Sequence, residues 1–344
     1  MSESGIPLPP PETHDFRPYE VYVIHPYRPR YWLHLLLLIL TLITTTIVGA
    51  QLQFNFDHNL PVLHGGETYL PLFPFEWLLR NPHAILRGLP FSLTLMLILL
   101  AHEMGHYLYA KRYGVSATLP FFIPAPTLIG TLGAFIRIRS YIPSRSALFD
   151  IGIAGPIAGF IFAVPAMLIG LLISHSGVAL GPDDIPLGFP IIFELGRAIL
   201  SHTTTTLPHP LPDINLHPMA LAAWVGMLAT ALNLLPGGQL DGGHIVYSAF
   251  PRAHKWVSLL AIAALIPFAI FGWVGWFLWA VILAITGLRH PNVPLSPGLS
   301  RNRQRLALLA LLILALTFTP TPFLGGSLLD ALRENNVHIP FTHR

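Results

Sequence analysis

The 344-residue chain contains no cysteine. This excludes disulfides, thiolate nucleophiles and thiolate metal ligands, and leaves any metal site to His, Asp and Glu. Charge is scarce too: 10% of the residues are charged and 53% are hydrophobic. So little polar surface excludes an ordinary water-soluble domain and makes a lipid bilayer the main solvent. The formal charge of +3 comes without a basic block, because the 19 Lys and Arg residues are scattered between apolar runs. A nucleic-acid-binding stripe is thereby excluded. Internal repeats are also lacking, and the loops at 51–88 and 175–217 are too short for an inserted folded domain.

What is present is a series of apolar runs. The first follows a proline-rich segment, 1–31, whose Pro7, Pro9, Pro10, Pro11, Pro18, Pro26 and Pro29 discourage a helix and imply a flexible cytosolic tail. Runs at 32–50, 89–110, 148–174 and 218–235 each approach the ~20 residues a spanning helix needs. The stretch 256–288 is too long for one span and divides at Phe271-Gly272, and a last run covers 306–318. Together these give an all-α polytopic membrane protein of about seven transmembrane helices. A membrane-embedded unit covers 32–319, with its core at 89–288, and a C-terminal tail covers 320–344. With the N-terminus inside, fourteen of the 19 cations fall on the inner side, which favours that orientation. The outer loops contain amphipathic stretches such as residues 191–197, expected as interfacial helices.

Two carboxylates, Glu103 and Asp241, lie at or near membrane depth, where an ionised group needs a partner. Glu103 belongs to His102-Glu103-Met104-Gly105-His106, the HExxH pattern within a helical run. The i,i+4 spacing puts both imidazoles on one face, where they can share one Zn²⁺, and holds Glu103 within reach of the attacking water as a general base. His102 lies twelve residues past Pro90 and nine before Lys111, about 18 Å and 13 Å along a helix, so the metal belongs in the inner half of the bilayer.

A catalytic zinc generally has three protein ligands, and the best third donor is Asp241, in the segment from Asn233 to His244. Pro236, Gly237 and Gly238 should interrupt the span there, as is tolerated where backbone lines a polar cavity. The alternative is a simple exit loop with Asp241 capping the next helix. Asn233 is a candidate hydrogen-bond donor to a tetrahedral oxyanion, or else a link to a neighbouring helix. His244 is assigned a supporting or interfacial place rather than a ligand position.

The pair His102-Glu103-Met104-Gly105-His106 and Asn233-Leu-Leu-Pro-Gly-Gly-Gln-Leu-Asp241-Gly-Gly-His244 resembles the site-2 proteases, a family of intramembrane zinc metalloproteases. Residues 130–139 and 152–159 are also similar to that family's segment between the ligand helices, and the resemblance covers about 89–288. Within it, the chain looks like the subgroup without a peptide-binding (PDZ) insertion, which includes the chloroplast members and bacterial relatives. The resemblance implies one Zn²⁺ per chain on His102, His106 and Asp241, with Glu103 as base. The chain departs in having His244 where some members have Arg, and in an N-terminus unlike a transit peptide. A prokaryotic plasma membrane is the expected location.

Ala134, Ile136 and Ile138 alternate with Phe135, Arg137 and Arg139, a period of two that implies a strand, part of a small membrane-associated hairpin or sheet after the HExxH helix. Such an edge can hold an unwound substrate by strand addition. The function expected is hydrolysis of a peptide bond in or near the transmembrane helix of a membrane-protein substrate. A polytopic metal or proton transporter using intramembrane His and Asp is the alternative.

Overall fold

All seven apolar runs fold as helices, since in lipid a helix satisfies its own backbone polar groups within one segment. The computed structural model describes residues 30–61, 73–176, 184, 186–201, 210–211, 214–286, 293–294 and 298–334. The helices are α1 (Tyr31–Asp57), α2 (Phe75–Arg80), α3 (Leu89–Arg112), α4 (Arg145–Leu172), α5 (Ile191–Ser201), α6 (Pro218–Leu234), α7 (Asp241–Ala249), α8 (His254–Phe271), α9 (Gly275–Thr286), α10 (Arg301–Thr317) and α11 (Leu328–Glu334). The proline-rich segment before Arg30 lies outside the described residues.

Among the described residues four helices are long and apolar enough to cross a bilayer: α1, α3 with the 3-10 turn that precedes it, α4 and α8. Helix α6 and the Gly275–Ile285 part of α9 are apolar but shorter. Helix α10 has 17 residues and begins with Arg301, Arg303 and Arg305. Four of the seven expected spans therefore meet the length and composition of a full crossing.

The helices approach through small residues, the device that lets backbones meet where lipid provides no hydrophobic drive for association. A Cβ on Gly105 of α3 would come within 2.5 Å of the Ala154 carbonyl oxygen on α4. One on Gly170 of α4 would meet the Ala220 nitrogen of α6 at 2.4 Å, and one on Gly226 of α6 would meet Ile98 of α3 at 2.7 Å. Around this triangle Phe91, Leu95, Met167, Leu171, Ala223 and Met227 form the main core. A second cluster, with Phe149, Leu234, Ile245 and Ile313, fastens α10 over α4 and α7.

Strands β1 (Phe121–Pro124) and β2 (Thr131–Phe135) form the expected hairpin, antiparallel, with Phe121 opposite Phe135 and Phe122 opposite Ala134. Regular pairing starts earlier than the alternation at 134–139 implied, then lapses at Ile136 and resumes as a single bridge between Ala117 and Ile138. The hairpin is fixed to α1: Thr44 Oγ1 donates to the Gly130 carbonyl at 2.6 Å, and the His34 ring lies 4.0 Å from that of Phe121. Strands β3 (His175–Ser176) and β4 (Ile214–Asn215) pair antiparallel, His175 opposite Asn215 and Ser176 opposite Ile214. Helix α5 confirms the amphipathic stretch, with two apolar stripes. Phe193, Gly196 and Leu200 are buried, Gly196 against Met167 and Leu171 of α4, while Ile191, Leu195 and Ile199 remain exposed.

Two polar contacts tie the ends of these helices together. Arg145, at the start of α4, donates to the Ser248 carbonyl at 2.8 and 2.5 Å and to the Ala249 carbonyl at 3.2 Å, closing the C-terminus of α7. Arg303 of α10 grips Asp150 of α4 through two bonds of 2.8 and 2.7 Å, and Tyr113, just past α3, donates to the same carboxylate. Residues 320–326 are also bonded into the fold, through Trp276 Nε1 to the Pro320 carbonyl, Gly188 N to the Pro322 carbonyl and Val274 N to the Gly326 carbonyl.

Candidate metal centre

Helix α3 carries His102, Glu103 and His106, all three buried. The chain leaves α6 at Leu234, turns through Gly238 with φ +64°, and opens α7 on Asp241. The turn brings the carboxylate back to the imidazoles. Asp241 Oδ2 lies 3.3 Å from His102 Nε2 and 3.2 Å from His106 Nε2. For bonds of about 2.0–2.1 Å, two ligands at tetrahedral positions around Zn²⁺ stand about 3.3 Å apart. The donor set and its spacing thus fit a tetrahedral zinc with one position left for water, and these are the residues that sequence spacing singled out.

The tautomer fits as well. His106 Nδ1 donates to the Ile151 carbonyl of α4 at 2.7 Å, which leaves Nε2 with its lone pair directed at the cluster. Asn233, on the last turn of α6, has Nδ2 3.3 Å from His102 Nε2 of α3, so it stands beside the cluster and links two helices at once. His244 lines the cavity outside the three-atom group. Its Cβ lies 3.1 Å from where a Cβ on Gly152 would sit.

These side chains border a cavity of about 260 Å³. Its wall includes Ala134, Phe135, Ile136 and Ile138, the alternating segment, and the Ile136 backbone faces Glu103. A peptide lying along that segment would run past the metal ligands and the candidate base together. Sequence reasoning missed three contributors: the Ile151 carbonyl, Gln239 in the cavity wall, and Gly155. A Cβ on Gly155 would lie 2.1 Å from His106 Nε2. Residues 152–159 were singled out only by family resemblance; the spacing of Gly152, Gly155 and Gly159 is a signal of close helix contact, but not that histidines are what they contact.

Comparison with known proteins places these segments in one family. Peptidase family M50 matches residues 90–271, from the start of α3 to the end of α8. The probable zinc metalloprotease EGY2, chloroplastic, of Arabidopsis thaliana is 31% identical over 284 residues, 78% of this chain and 47% of the relative. The probable zinc metalloprotease EGY1, chloroplastic, of the same plant is 31% identical over 241 residues, 68% of this chain and 43% of the relative. The rice EGY1 protein is 34% identical over 170 residues, 48% of this chain and 28% of its own length. The chain thus spans about half or less of the curated relatives it matches. More than half of the chain lies within the family match, both ligand-bearing segments included, and the chain belongs to peptidase family M50.

Proposed function

We propose that the chain is an intramembrane zinc metalloprotease that hydrolyses a peptide bond in or near the transmembrane segment of a membrane-protein substrate. The observation that carries this reading is the convergence of His102 Nε2, His106 Nε2 and Asp241 Oδ2 beside Glu103, in a cavity walled by residues 134–138. The relatives named as zinc metalloproteases support the same metal.

His102, His106 and Asp241 hold the zinc, which when bound activates water and polarises the scissile carbonyl. The substrate helix unwinds and lies along β2 and its continuation, where backbone pairing keeps the peptide extended. Glu103 takes a proton from the attacking water as its oxygen adds to the carbonyl carbon. Asn233 donates to the oxygen that gains negative charge. Glu103 then delivers the proton to the amide nitrogen as the C–N bond breaks, leaving a carboxylic acid and an amine, and the acid's proton passes to the amine to give carboxylate and ammonium. Water reaches the site from the inner face, and the substrate enters sideways from lipid.

In this reading residues 32–319 form the membrane-embedded unit, with 89–288 as its catalytic core and the N-terminus inside. A prokaryotic plasma membrane was the expectation from the sequence, whereas the curated relatives bear chloroplastic names. Membrane fractionation of the source cells decides between the two.

The test is Glu103→Gln in the purified chain, assayed on a single-span reporter in detergent and in liposomes. The variant should bind zinc as wild type does and lose cleavage. Wild-type cleavage by that variant would sink the reading, and zinc flux into proteoliposomes without peptidase activity would replace it with transport.

A further inference from the structure

Asp241 is the ligand whose position has the least local support. His102 and His106 are fixed by one continuous helix, whereas Asp241 follows the irregular segment 235–240. Within that segment Gly238 adopts the left-handed φ of +64°, so its amide and carbonyl cannot continue helical pairing.

Both polar groups of Gly238 are met by α8. His254 Nε2 donates to the Gly238 carbonyl at 3.1 Å, and the Gly238 amide donates to Ser258 Oγ at 3.3 Å. His254 and Ser258 are one helical turn apart, on the same face, and are buried, with 3% and 0% exposure. Gly238 is buried as well, so no water stands by to replace either partner. The loop in turn seats α7 without an intervening side chain. A Cβ on Gly243 would lie 2.3 Å from the Gly238 carbonyl oxygen, and one on Gly242 would lie 2.2 Å from that of Leu234. A shift of Gly238 is therefore passed directly to the first turn of α7, where Asp241 stands.

We propose that His254 and Ser258 are positioning residues for the metal, setting the Asp241 carboxylate against the two imidazoles by holding Gly238 at both its amide and its carbonyl. This rests on the reading of Asp241 as a ligand. Neither residue belongs to a motif; they are joined to the site only by the fold.

The test uses the full chain and reads zinc affinity by chelator competition, together with the visible ligand-field bands of the Co²⁺-substituted protein. His254→Phe keeps a ring and removes the donor. It should weaken zinc binding by about 10- to 100-fold, as losses of outer hydrogen bonds to ligands do, and shift the cobalt bands. His254→Gln retains an N–H at the same reach and should recover most of both. Ser258→Ala, which removes one oxygen, should act in the same direction and decides the matter if His254→Phe does not fold. Folded variants with zinc affinity within twofold of wild type and unchanged cobalt bands would overturn the proposal, as would a His254→Phe loss that Gln leaves unrepaired. Asp241→Ala runs alongside. If it keeps wild-type affinity, the ligand reading itself fails and this inference with it. If it loses zinc while the α8 variants do not, only the positioning role fails.

Discussion

Gly155 is the most exacting test of how the metal centre is packed. A Cβ there would stand 2.1 Å from Nε2 of His106, 2.4 Å from Cε1 and 2.6 Å from Cδ2. An unstrained contact needs about 3.5 Å, so Gly155→Ala requires the ring or the helix to move by about 1.4 Å. The ring cannot move freely, because Nδ1 is held by Ile151, four residues before Gly155 on the same helix. Reacting groups tolerate roughly 0.5 Å of displacement, and about 1 Å costs roughly 100-fold in rate. Gly155→Ala should therefore lower kcat/KM by at least about 100-fold, about 2.7 kcal/mol in the barrier, and weaken zinc binding in parallel.

Helix propensity acts the other way, since Ala is favoured over Gly by up to about 1 kcal/mol, so a loss reports sterics and not a weakened helix. The assay is reporter cleavage with zinc content measured on the same preparation. Gly159→Ala supplies a graded comparison: its Cβ would lie 3.2 Å from Nδ1 of His102, a contact that yields by a few tenths of an ångström. Its loss should be no more than about tenfold, at 1.36 kcal/mol per factor of ten. Gly298→Ala meets no atom within 4 Å and should be silent. Full activity and zinc content in Gly155→Ala, or equal losses at Gly155 and Gly298, would refute the packing argument.

Two further outcomes follow from the same geometry. Asn233→Ala should lower kcat by about 10²–10³ with KM and zinc affinity little changed, as removal of an oxyanion donor does; a change confined to thermal stability would make Asn233 a helix contact instead. Arg303→Met should destabilise the chain by about 2–3 kcal/mol, because it leaves an Asp150 carboxylate that is only 13% exposed with the Tyr113 hydroxyl but no counter-charge, while Arg303→Met with Asp150→Asn should recover much of the loss. Thermal inactivation in detergent measures both, and a double variant no more stable than the single one would count against the ion pair.

What was legible in the sequence was what local spacing encodes. The two imidazoles and Glu103 need only the i,i+4 geometry of one helix, and they lie together as read. Asp241 was legible because a carboxylate near membrane depth needs a partner and Pro236-Gly237-Gly238 before it mark a chain that must turn; the tight packing of Gly242 and Gly243 after it shows only in the structure. The strand was read from side-chain alternation at 134–139, whereas the ladder is set by backbone partners and begins at Thr131, where Gly133 leaves no alternation to see. The count of seven spans is not confirmed: apolarity alone does not distinguish α6, α10 and the described part of α9, which are shorter, from α4, which is long enough to cross. The contacts of Gly155 with His106, Arg145 with α7 and His254 with Gly238 join distant parts of the chain and leave no periodic trace.

Those long-range contacts explain why the fold and the site cannot be separated here. In lipid, helices gain little from burying apolar side chains and associate through close backbone approach and polar links. In this chain several of these approaches fall at the metal centre: Gly105 on α3 against Ala154, and Gly155 and Gly159 on α4 against the two histidines. The surfaces that hold α3 to α4 are thus the ones that orient the ligands, and loosening that contact disturbs zinc before it disturbs the rest of the bundle. Glu103 and Asn233 stand differently. They face the cavity and are not among the close glycine approaches, so chemistry can be removed at either with those approaches left in place. A loss of activity with the metal retained is therefore the signature of those two positions, and joint loss of metal and activity is that of the glycines.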